Sequence, residues 1–304
     1  MSYREESYYK PKGYSQIATQ GINLAEYSLE ELKALWHKTL REGFHGICFS
    51  MYRDGQSPGD EISMEQVEQR VNILKPYVQA IRSFSCIEGN EFVPIMAKKH
   101  GLKTLVGAWL GNDKEDNERE IAGLIELAKS GNVDVAAVGN EVLYRNDLTL
   151  DELVGYINRV KEALAGLDIP VGYVDAYYEF SRHPILVEST DVVLANLYPY
   201  WEGCPIEYAL GHMQAMYGSV VDAAQGKPII ITETGWPSEG GGLNGAIATG
   251  EAAMKYFIDT IRWTKENDIP IFYFSSFDES WKTGNEGDVG AYWGLWDKHE
   301  NLKF

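Results

Sequence analysis

Short apolar runs rich in β-branched and aromatic residues alternate along the chain with longer segments of helical periodicity. Runs of this kind predict buried strands. They occupy residues 46–52, 80–86, 102–110, 133–141, 170–178, 192–200, 228–236 and 269–277. Continuous apolar strands separated by amphipathic helices are typical of a parallel sheet covered by helices. Eight of them favour an α/β fold in which the sheet closes into a (β/α)8 TIM barrel.

Three helix starts have the spacing of a capping box, in which two side chains satisfy free amides at the helix start. The pairs are Ser28 with Glu31, Ser63 with Gln66, and Thr149 with Glu152. The first of these helices, 28–41, precedes the first strand, whereas segment 283–304 after the last strand does not have a helical pattern. We therefore hypothesise that this N-terminal extension helix fills the gap in the outer ring beside the last strand.

Length and composition favour one domain. With 304 residues, of which 44% are hydrophobic, the chain fits a single barrel of roughly 250 residues with additions. We expect one (β/α)8 domain over 1–304, with an N-terminal extension over 1–44 and barrel strands from about 46 to 282.

The chain is strongly acidic, with 45 acidic against 27 basic residues and a formal charge of −18. Such a charge repels phosphate backbones and anionic lipids, so we expect no nucleic-acid or membrane partner. A neutral polysaccharide is compatible with it, and so is a surface that is merely soluble. We expect a monomer.

Cysteines and termini bear on the compartment. Cys48 and Cys86 lie in apolar runs, where a thiol usually serves as a small buried hydrophobe, and together with Cys204 they imply no disulfide framework. The amino terminus lacks the apolar core of a secretory signal, and no run approaches the ~20 apolar residues of a membrane span. As written, the sequence predicts a cytoplasmic protein; a chain trimmed of its signal would look the same and would be exported.

Two glutamates end strand-like runs, Glu141 in VDVAAVGNEV (133–142) and Glu233 in PIIITETGWPS (228–238). Parallel barrel strands deliver reactive groups to the mouth at their carboxyl ends, so strands four and seven predict an acid and a nucleophile that meet near the axis. A carboxylate separation of about 5 Å would suit double displacement, and one of about 6.5 to 9.5 Å would suit direct attack by water.

Other strand-end residues form a rim of aromatic, amide and charged side chains. They are Arg53, Asp54, Trp109, Asn140, Tyr177, Tyr178, Asn196, Tyr198, Trp201, Trp236, Asp278, Glu279, Trp281 and Lys282. Aromatic faces that stack on sugar rings, with amides and carboxylates that grip hydroxyls, indicate a carbohydrate cleft. For any single aromatic residue, packing in the core or a loop is the commoner role.

Four strings then resemble the signatures of glycoside hydrolase family 17: GNEV (139–142), LYPYW (197–201), ITETGWPS (231–238) and FDESWK (277–282). The closing segment YWGLWDKHENLKF (292–304) is similar to that of the family as well. The family contains β-1,3-glucanases and glucan transferases, on a (β/α)8 barrel with catalytic glutamates on strands four and seven. Segment RDGQSP (53–58) suggests a bacterial branch.

The resemblance implies roles for individual residues. Glu141 would be the general acid/base and Glu233 the nucleophile of a retaining reaction, with the charge of Glu233 keeping Glu141 protonated. Asn140 would hold the sugar 2-hydroxyl and Tyr198 would hydrogen-bond the nucleophile. Further substrate contacts are expected from the auxiliary pair Glu279 and Lys282 and from Arg53, Asp54, Trp201, Trp236 and Trp281.

Competing interpretations come from other classes. The six histidines show no paired-ligand spacing such as HExxH, so we expect no metal or other cofactor. The GxGxxG pattern at Gly240, Gly242 and Gly245 favours a rim loop over a dinucleotide site, since no ribose-binding acid follows it. A sugar-binding protein without turnover and a transglycosylase that passes the glucan to another sugar both remain open, as does endo against exo action.

Overall fold

In a computed structural model, which describes residues 19–284 and 286–304, eight parallel strands close into a barrel in sequence order. Strand β1 pairs with β2 on one side and with β8 on the other. The strands are β1 (Phe44–Cys48), β2 (Val78–Ser83), β3 (Lys103–Ala108), β4 (Val135–Asn140), β5 (Val171–Ala176), β6 (Val192–Asn196), β7 (Ile229–Thr234) and β8 (Ile271–Tyr273). This confirms the predicted (β/α)8 barrel.

Helices surround the barrel and join its strands. They are α1 (Leu29–Arg41), α2 (Met64–Leu74), α3 (Phe92–Lys99), α4 (Lys114–Lys129), α5 (Val142–Arg145), α6 (Leu150–Ala163), α7 (Tyr177–Arg182), α8 (Pro184–Ser189), α9 (Ala209–Ala223) and α10 (Gly250–Glu266). Among the described residues after β8, the helical turns are short 3₁₀ segments, at Ser280–Thr283 and Gly287–Ala291. Within the same part of the chain, no helix is long and apolar enough to cross a bilayer.

Every predicted run overlaps a strand, but the boundaries differ. Strand β1 begins at Phe44, inside the segment predicted as extension, because the Phe44 amide donates to Tyr77 O at 2.9 Å and pairs beside Val78. The other end also differs: β8 stops at Tyr273, and a loop leads from there to the 3₁₀ segment at Ser280–Thr283. The remaining predicted runs overshoot at their carboxyl ends, where the chain leaves the sheet to build the mouth. The first 18 residues of the predicted extension lie outside the described residues.

Helix α1 lies where the hypothesis placed it. The Trp36 ring packs 5.7 Å from Phe257 of α10 and 5.2 Å from Phe304. Phe257 in turn packs 5.1 Å from Tyr273 of β8. Helix α1 therefore covers the outer ring next to the last strand, on the side where β8 meets β1.

Two of the three predicted capping boxes are complete, those at Ser28 and Thr149. At the start of α2, Ser63 Oγ accepts from the Gln66 amide at 3.1 Å, but the Gln66 side chain donates to Met51 O at 2.7 Å. The third box is thus half formed, because tertiary contact with the loop after β1 takes the glutamine away. Each of the three cysteines is free and buried.

Candidate active site

The backbone at the end of β4 turns sharply to present Glu141. Gly139 has φ +88°, and a Cβ there would lie 2.8 Å from Val142 Cγ2, so glycine is needed at that position. Glu141 itself has φ +51°, in the left-handed region that non-glycine residues adopt at a cost. Its amide still donates to Val174 O of β5 at 2.8 Å. The GNE string thus ends β4 and leaves the Glu141 side chain only 1% exposed inside the barrel mouth.

Glu233 lies on β7 beside Asn196 of β6, and it is 2% exposed. Its Oε1 accepts from Arg82 Nη1 at 2.6 Å, and its Oε2 accepts from the Tyr198 hydroxyl at 2.8 Å. A guanidinium and a phenol donor both favour the ionised carboxylate. Glu233 is therefore held as an anion with its two oxygens fixed.

Arg82 of β2 connects the two glutamate strands. While Nη1 binds Glu233, Nη2 donates to Asn140 Oδ1 at 2.7 Å. The guanidinium lies 4.2 Å from the Phe84 ring centre and is buried. The sequence interpretation missed this residue, although an arginine inside the apolar run AIRSFSC was a usable signal, since a buried arginine needs an acidic partner.

The surroundings of Glu141 are different. Oε1 accepts from Asn196 Nδ2 at 3.0 Å, and the Asn196 oxygen accepts from the Thr232 hydroxyl at 2.8 Å, which fixes the orientation of the amide. Glu141 Oε2 is buried without a hydrogen-bond partner among the described residues. Burial raises the pKa of Glu141 to about 8, and the negative charges of Glu233 and Asp175 add to the rise. At neutral pH Glu141 thus carries a proton, on a carboxyl group with one free oxygen.

The two glutamates belong to one site. Asn140, the residue before Glu141, shares Arg82 with Glu233, while Asn196 binds Glu141 and is the strand neighbour of Glu233. Glu141 and Glu233 thus lie in one buried network of shared neighbours at the carboxyl ends of β4 and β7. Their roles as acid and nucleophile stay a prediction.

The loop after β8 carries the predicted auxiliary pair. Lys282 Nζ lies 2.5 Å from Glu279 Oε2, and Glu279 Oε1 accepts from Ser50 Oγ at 2.6 Å and from Trp281 Nε1 at 3.2 Å. Burial alone would lower the pKa of Lys282, but the negative charges led by Glu279 outweigh it and raise the pKa. Trp281 is 37% exposed, so its ring remains available at the rim.

An aromatic cluster surrounds Tyr198, the hydroxyl donor to Glu233. The Trp293 ring centre lies 5.5 Å from Tyr198, 5.5 Å from Trp201 and 5.8 Å from Phe274. Phe274 and Trp293 were not among the predicted site residues, because Phe274 lies inside the apolar run 269–277 and Trp293 lies in the closing segment 292–304. Trp236, by contrast, is buried, and its Nε1 donates to Ile247 O at 2.9 Å. It packs behind this cluster, with little surface left for a sugar.

Arg53 and Asp54 brace loops instead of joining the glutamates. Arg53 Nε lies 3.2 Å from Glu300 Oε1. Asp54 accepts from Ser280 Oγ at 2.8 Å and pairs with Lys298 at 3.0 Å. Both residues tie the loop after β1 to the carboxyl-terminal segment, so the proposed sugar contacts from them stay a prediction.

Other rim residues have varied surroundings. Trp109 is 38% exposed, and the Arg145 guanidinium lies 4.4 Å from its ring centre. Asp278 is buried and pairs with Lys303 at 2.8 Å. The glycine-rich segment after β7 is a rim loop, as predicted, tied down by the Tyr200 hydroxyl, which donates to Gly241 O at 2.6 Å. Among residues 19–284 and 286–304, no cluster of three or more histidine, cysteine or acidic side chains could hold a metal ion.

The chain is similar to a family of glycoside hydrolases and to several known proteins. The family model described as the BtgE/BtgC glycoside hydrolase domain matches residues 46–294. A protein of Schizosaccharomyces pombe named glucan 1,3-beta-glucosidase is 28% identical over 254 residues, which cover 76% of this chain and 77% of that protein. A protein of the same name from Saccharomyces cerevisiae is 27% identical over 267 residues, covering 80% and 85% of the two chains.

Among solved structures, the glycoside hydrolase family 17 β-1,3-glucanosyltransferase from Rhizomucor miehei matches with a TM-score of 0.77 and 32% identity. The match covers 86% of this chain and 96% of that one. These relatives are fungal, and the bacterial branch expected from segment 53–58 stays a prediction.

Proposed function

The chain belongs to the BtgE/BtgC glycoside hydrolase domain family, and from that premise we propose that it cleaves β-1,3-glucosidic bonds of glucans by double displacement. Glu233 is the nucleophile and Glu141 the general acid/base. The names of the yeast and fungal relatives support the choice of linkage.

One observation carries the assignment of roles: the two buried glutamates have opposite surroundings. Glu233 accepts from Arg82 and Tyr198, which stabilise its charge. Glu141 faces a neutral amide and has one oxygen without a partner among the described residues, and its pKa is raised to about 8 by burial and by nearby negative charge. A carboxylate held by a guanidinium, beside a carboxyl group whose pKa is raised, is a suitable arrangement for a nucleophile and an acid.

In the first step, a Glu233 oxygen attacks the anomeric carbon while the bond from that carbon to the bridging oxygen breaks. Glu141 transfers its proton to the departing oxygen, which leaves as the hydroxyl of the shortened glucan. The products on the enzyme are a glycosyl ester on Glu233 and an ionised Glu141. Tyr198, whose pKa is raised by burial and by the charge of Glu233, stays protonated and can donate throughout.

In the second step, the acceptor attacks the anomeric carbon while the bond from that carbon to the Glu233 oxygen breaks, so that Glu233 leaves as a carboxylate. The proton of the acceptor passes to Glu141. Formation of the ester removes the negative charge of Glu233, and Glu141 ionises more easily as a result, which suits it to act as a base. Two inversions at the same carbon give net retention. The acceptor is water in hydrolysis and a sugar hydroxyl in transfer.

Transfer is the second candidate outcome, and a specific observation favours it. The Rhizomucor miehei protein, which is a glucanosyltransferase by name, matches 86% of this chain at 32% identity. Hydrolysis and transfer share all steps up to the ester, so the same residues serve both. What separates them is access of water and of a second sugar to the ester.

A time course on laminarin tests this proposal. Release of glucose or short oligomers indicates hydrolysis, and products longer than the starting laminarin chains indicate transfer. Proton NMR early in the reaction should show the β-anomer first, because retention is expected. Glu233→Gln is the matched inactive control, and cellulose, with β-1,4 linkages, is the linkage control. An intact polymer with measurable binding would contradict the proposal and favour a sugar-binding protein.

A further inference from the structure

A buried aspartate that the mechanism above does not use lies directly behind the acid/base. Asp175 is in β5 and is 0% exposed. Its Oδ1 accepts from the Ala176 amide at 2.7 Å, and its Oδ2 accepts from the Tyr144 amide at 3.4 Å and from the Tyr173 hydroxyl. All three donors are neutral, so the charge of Asp175 is oriented by them but is not cancelled by a cation.

Asp175 and Tyr173 together hold the turn that starts at Glu141. The Tyr173 hydroxyl accepts from the Leu143 amide at 3.0 Å while it donates to Asp175. Two successive amides of α5, those of Leu143 and Tyr144, are thus bound by side chains of β5. Helix α5 begins immediately after Glu141, which has the left-handed backbone. Because amides at a helix start need acceptors, this contact fixes the first turn and with it the direction of the glutamate.

We propose that Asp175 is a positioning residue for Glu141: its carboxylate favours the protonated, acid form of Glu141 and anchors the turn that presents it to the glycosidic oxygen. This inference rests on the proposed function, since it assigns Asp175 a part in the acid step. It concerns a residue that lies behind the reacting atoms and acts only through Glu141.

Several charged or titratable groups face Glu141, and they do not act in the same direction. Negative charge comes from Glu233 on β7 and from Asp175 on β5, and both raise the pKa of Glu141, after burial, which is the largest cause. Arg145 of α5 opposes them with its positive charge, and the Asn196 amide on β6 opposes them by its hydrogen bond. Two phenols, Tyr173 and Tyr198, also lie within the electrostatic reach of Glu141.

The sign of the effect depends on the state of Asp175 itself. Burial raises the pKa of Asp175 to about 7, against the hydrogen bonds from Tyr173, Ala176 and Tyr144, and the charge of Glu179 adds to the rise. In the range where Glu141 titrates, at about pH 8, Asp175 is therefore mostly ionised. Removal of its charge should let Glu141 lose its proton at lower pH. The alkaline limb of activity, which reports the acid form of Glu141, should move to lower pH.

The test compares Asp175→Asn with Asp191→Asn on laminarin. Asp191, the residue before β6, accepts from the amide of Val171 at the start of β5, which lies roughly 13 Å along the strand from Asp175. The control therefore removes an aspartate charge that contacts the opposite end of the same strand. For Asp175→Asn we expect the alkaline limb of kcat/KM to move down by roughly one pH unit, while the limb of Asp191→Asn stays where the unsubstituted protein has it.

A second readout uses leaving groups. The dinitrophenolate of a dinitrophenyl β-laminaribioside leaves without a proton, whereas the leaving sugar of laminarin must be protonated by Glu141. Asp175→Asn should therefore lose about tenfold more activity on laminarin than on the aryl substrate. Equal losses on both substrates with an unmoved alkaline limb would overturn the inference.

Folding is checked with a second variant. Asp175→Ser removes the charge but keeps an oxygen that can accept from the backbone, and it should show the same limb shift. If both Asp175 variants unfold while Asp191→Asn stays folded, Asp175 serves the barrel itself and the inference is wrong. If the unsubstituted protein leaves laminarin and the aryl substrate intact, the proposed function fails instead.

Discussion

Glu141 and Glu233 have the same side chain at corresponding ends of two barrel strands, yet the surroundings of their carboxyl groups are opposite. Glu233 meets a guanidinium and a phenol hydroxyl, so its charge is stabilised. Glu141 meets one neutral amide and the charges of two other carboxylates, so its proton is retained. The difference comes from burial and from neighbours that β2, β5, β6 and the segment after β6 supply. Chemical role is thus decided by the neighbours that each glutamate meets in the folded barrel.

The largest expected effect separates the two glutamates by leaving group. Glu233→Gln should lower kcat on laminarin and on a dinitrophenyl β-laminaribioside alike, by on the order of 10⁴-fold or more, since both reactions need the ester. Glu141→Gln should cost about 10²- to 10⁴-fold on laminarin and much less in the ester-forming step of the aryl substrate, because dinitrophenolate departs without a proton. Steady-state and burst kinetics on both substrates measure this. The reverse pattern would exchange the two roles.

Loss of Arg82 should come next. Arg82→Met leaves Glu233 buried without a guanidinium. Removal of one partner of a buried ion pair costs about 3 to 5 kcal/mol, which corresponds to a fall of roughly 10²- to 10⁴-fold in kcat/KM if the full effect reaches catalysis. Arg82→Lys, which keeps the charge but loses the two-pronged contact, should lose less. A kcat/KM on laminarin that stays within about tenfold of the unsubstituted protein in Arg82→Met would show that Arg82 does not support Glu233.

The barrel and the glutamate pair could be predicted from the sequence for a physical reason. Alternating apolar runs and helical segments report burial directly, and Glu141 and Glu233 each interrupt such a run at the strand end, where a parallel barrel opens its mouth. The position of Tyr198 against Glu233 followed from the family resemblance, and the structure has this hydrogen bond.

Arg82, Asn196 and Asp175 show why the rest could not be predicted. Asn196 was recognised as a rim residue, but its contact with Glu141 depends on the register between β6 and β7, which shifts at Asn196 itself. Arg82 lies within β2, and its partners on other strands are 58 to 151 positions away. Asp175 lies within β5 and accepts from the turn that follows β4. Trp236 shows the same limit from the other side. It follows a strand end and was predicted to contact substrate, but the loop after β7 folds over it and buries it. Which strand-end residues face the cleft is set by loop paths, and those leave no local pattern.

Smaller effects should separate the neighbours of the two glutamates. Tyr198→Phe removes a donor to Glu233, so kcat/KM should fall about 10- to 100-fold, as is usual for a hydrogen bond to a charged group. Asn196→Ala removes the donor that lowers the pKa of Glu141, so here the alkaline limb should move to higher pH, with a loss of about tenfold or less.

Kinetics and pH profiles of both variants on laminarin check this. Tyr217→Phe is a matched control, since that tyrosine lies on α9 against Trp263, outside the site, and should change neither kcat/KM nor the alkaline limb. An alkaline limb that moves as far in Tyr198→Phe as in Asn196→Ala would mean that both variants act on the same group and that the contrast between the two glutamates is wrong.

The smallest effect concerns stability. The pKa of Glu141 in the folded protein, about 8, lies above its ordinary value of 4.5 because of burial and nearby negative charge. Between these values the folded chain holds a proton that the unfolded chain releases, so the contribution of Glu141 to the free energy of unfolding is lost progressively as pH rises. Glu141→Gln does not titrate, and its Tm should exceed that of the unsubstituted protein by a margin that grows from about pH 5 to about pH 8.

The margin should reach roughly 2 to 4 °C for each kcal/mol of unfolding free energy that Glu141 removes at high pH. Glu120 and Asp175, whose pKa values are raised to about 7 mainly by burial, titrate in both proteins and largely cancel from the difference. Glu188→Gln, on an exposed carboxylate of α8, serves as the control for loss of one negative charge. Thermal unfolding followed by circular dichroism at several pH values measures the margin. A margin that stays constant or shrinks as pH rises would show that Glu141 is not held in its protonated form by the fold.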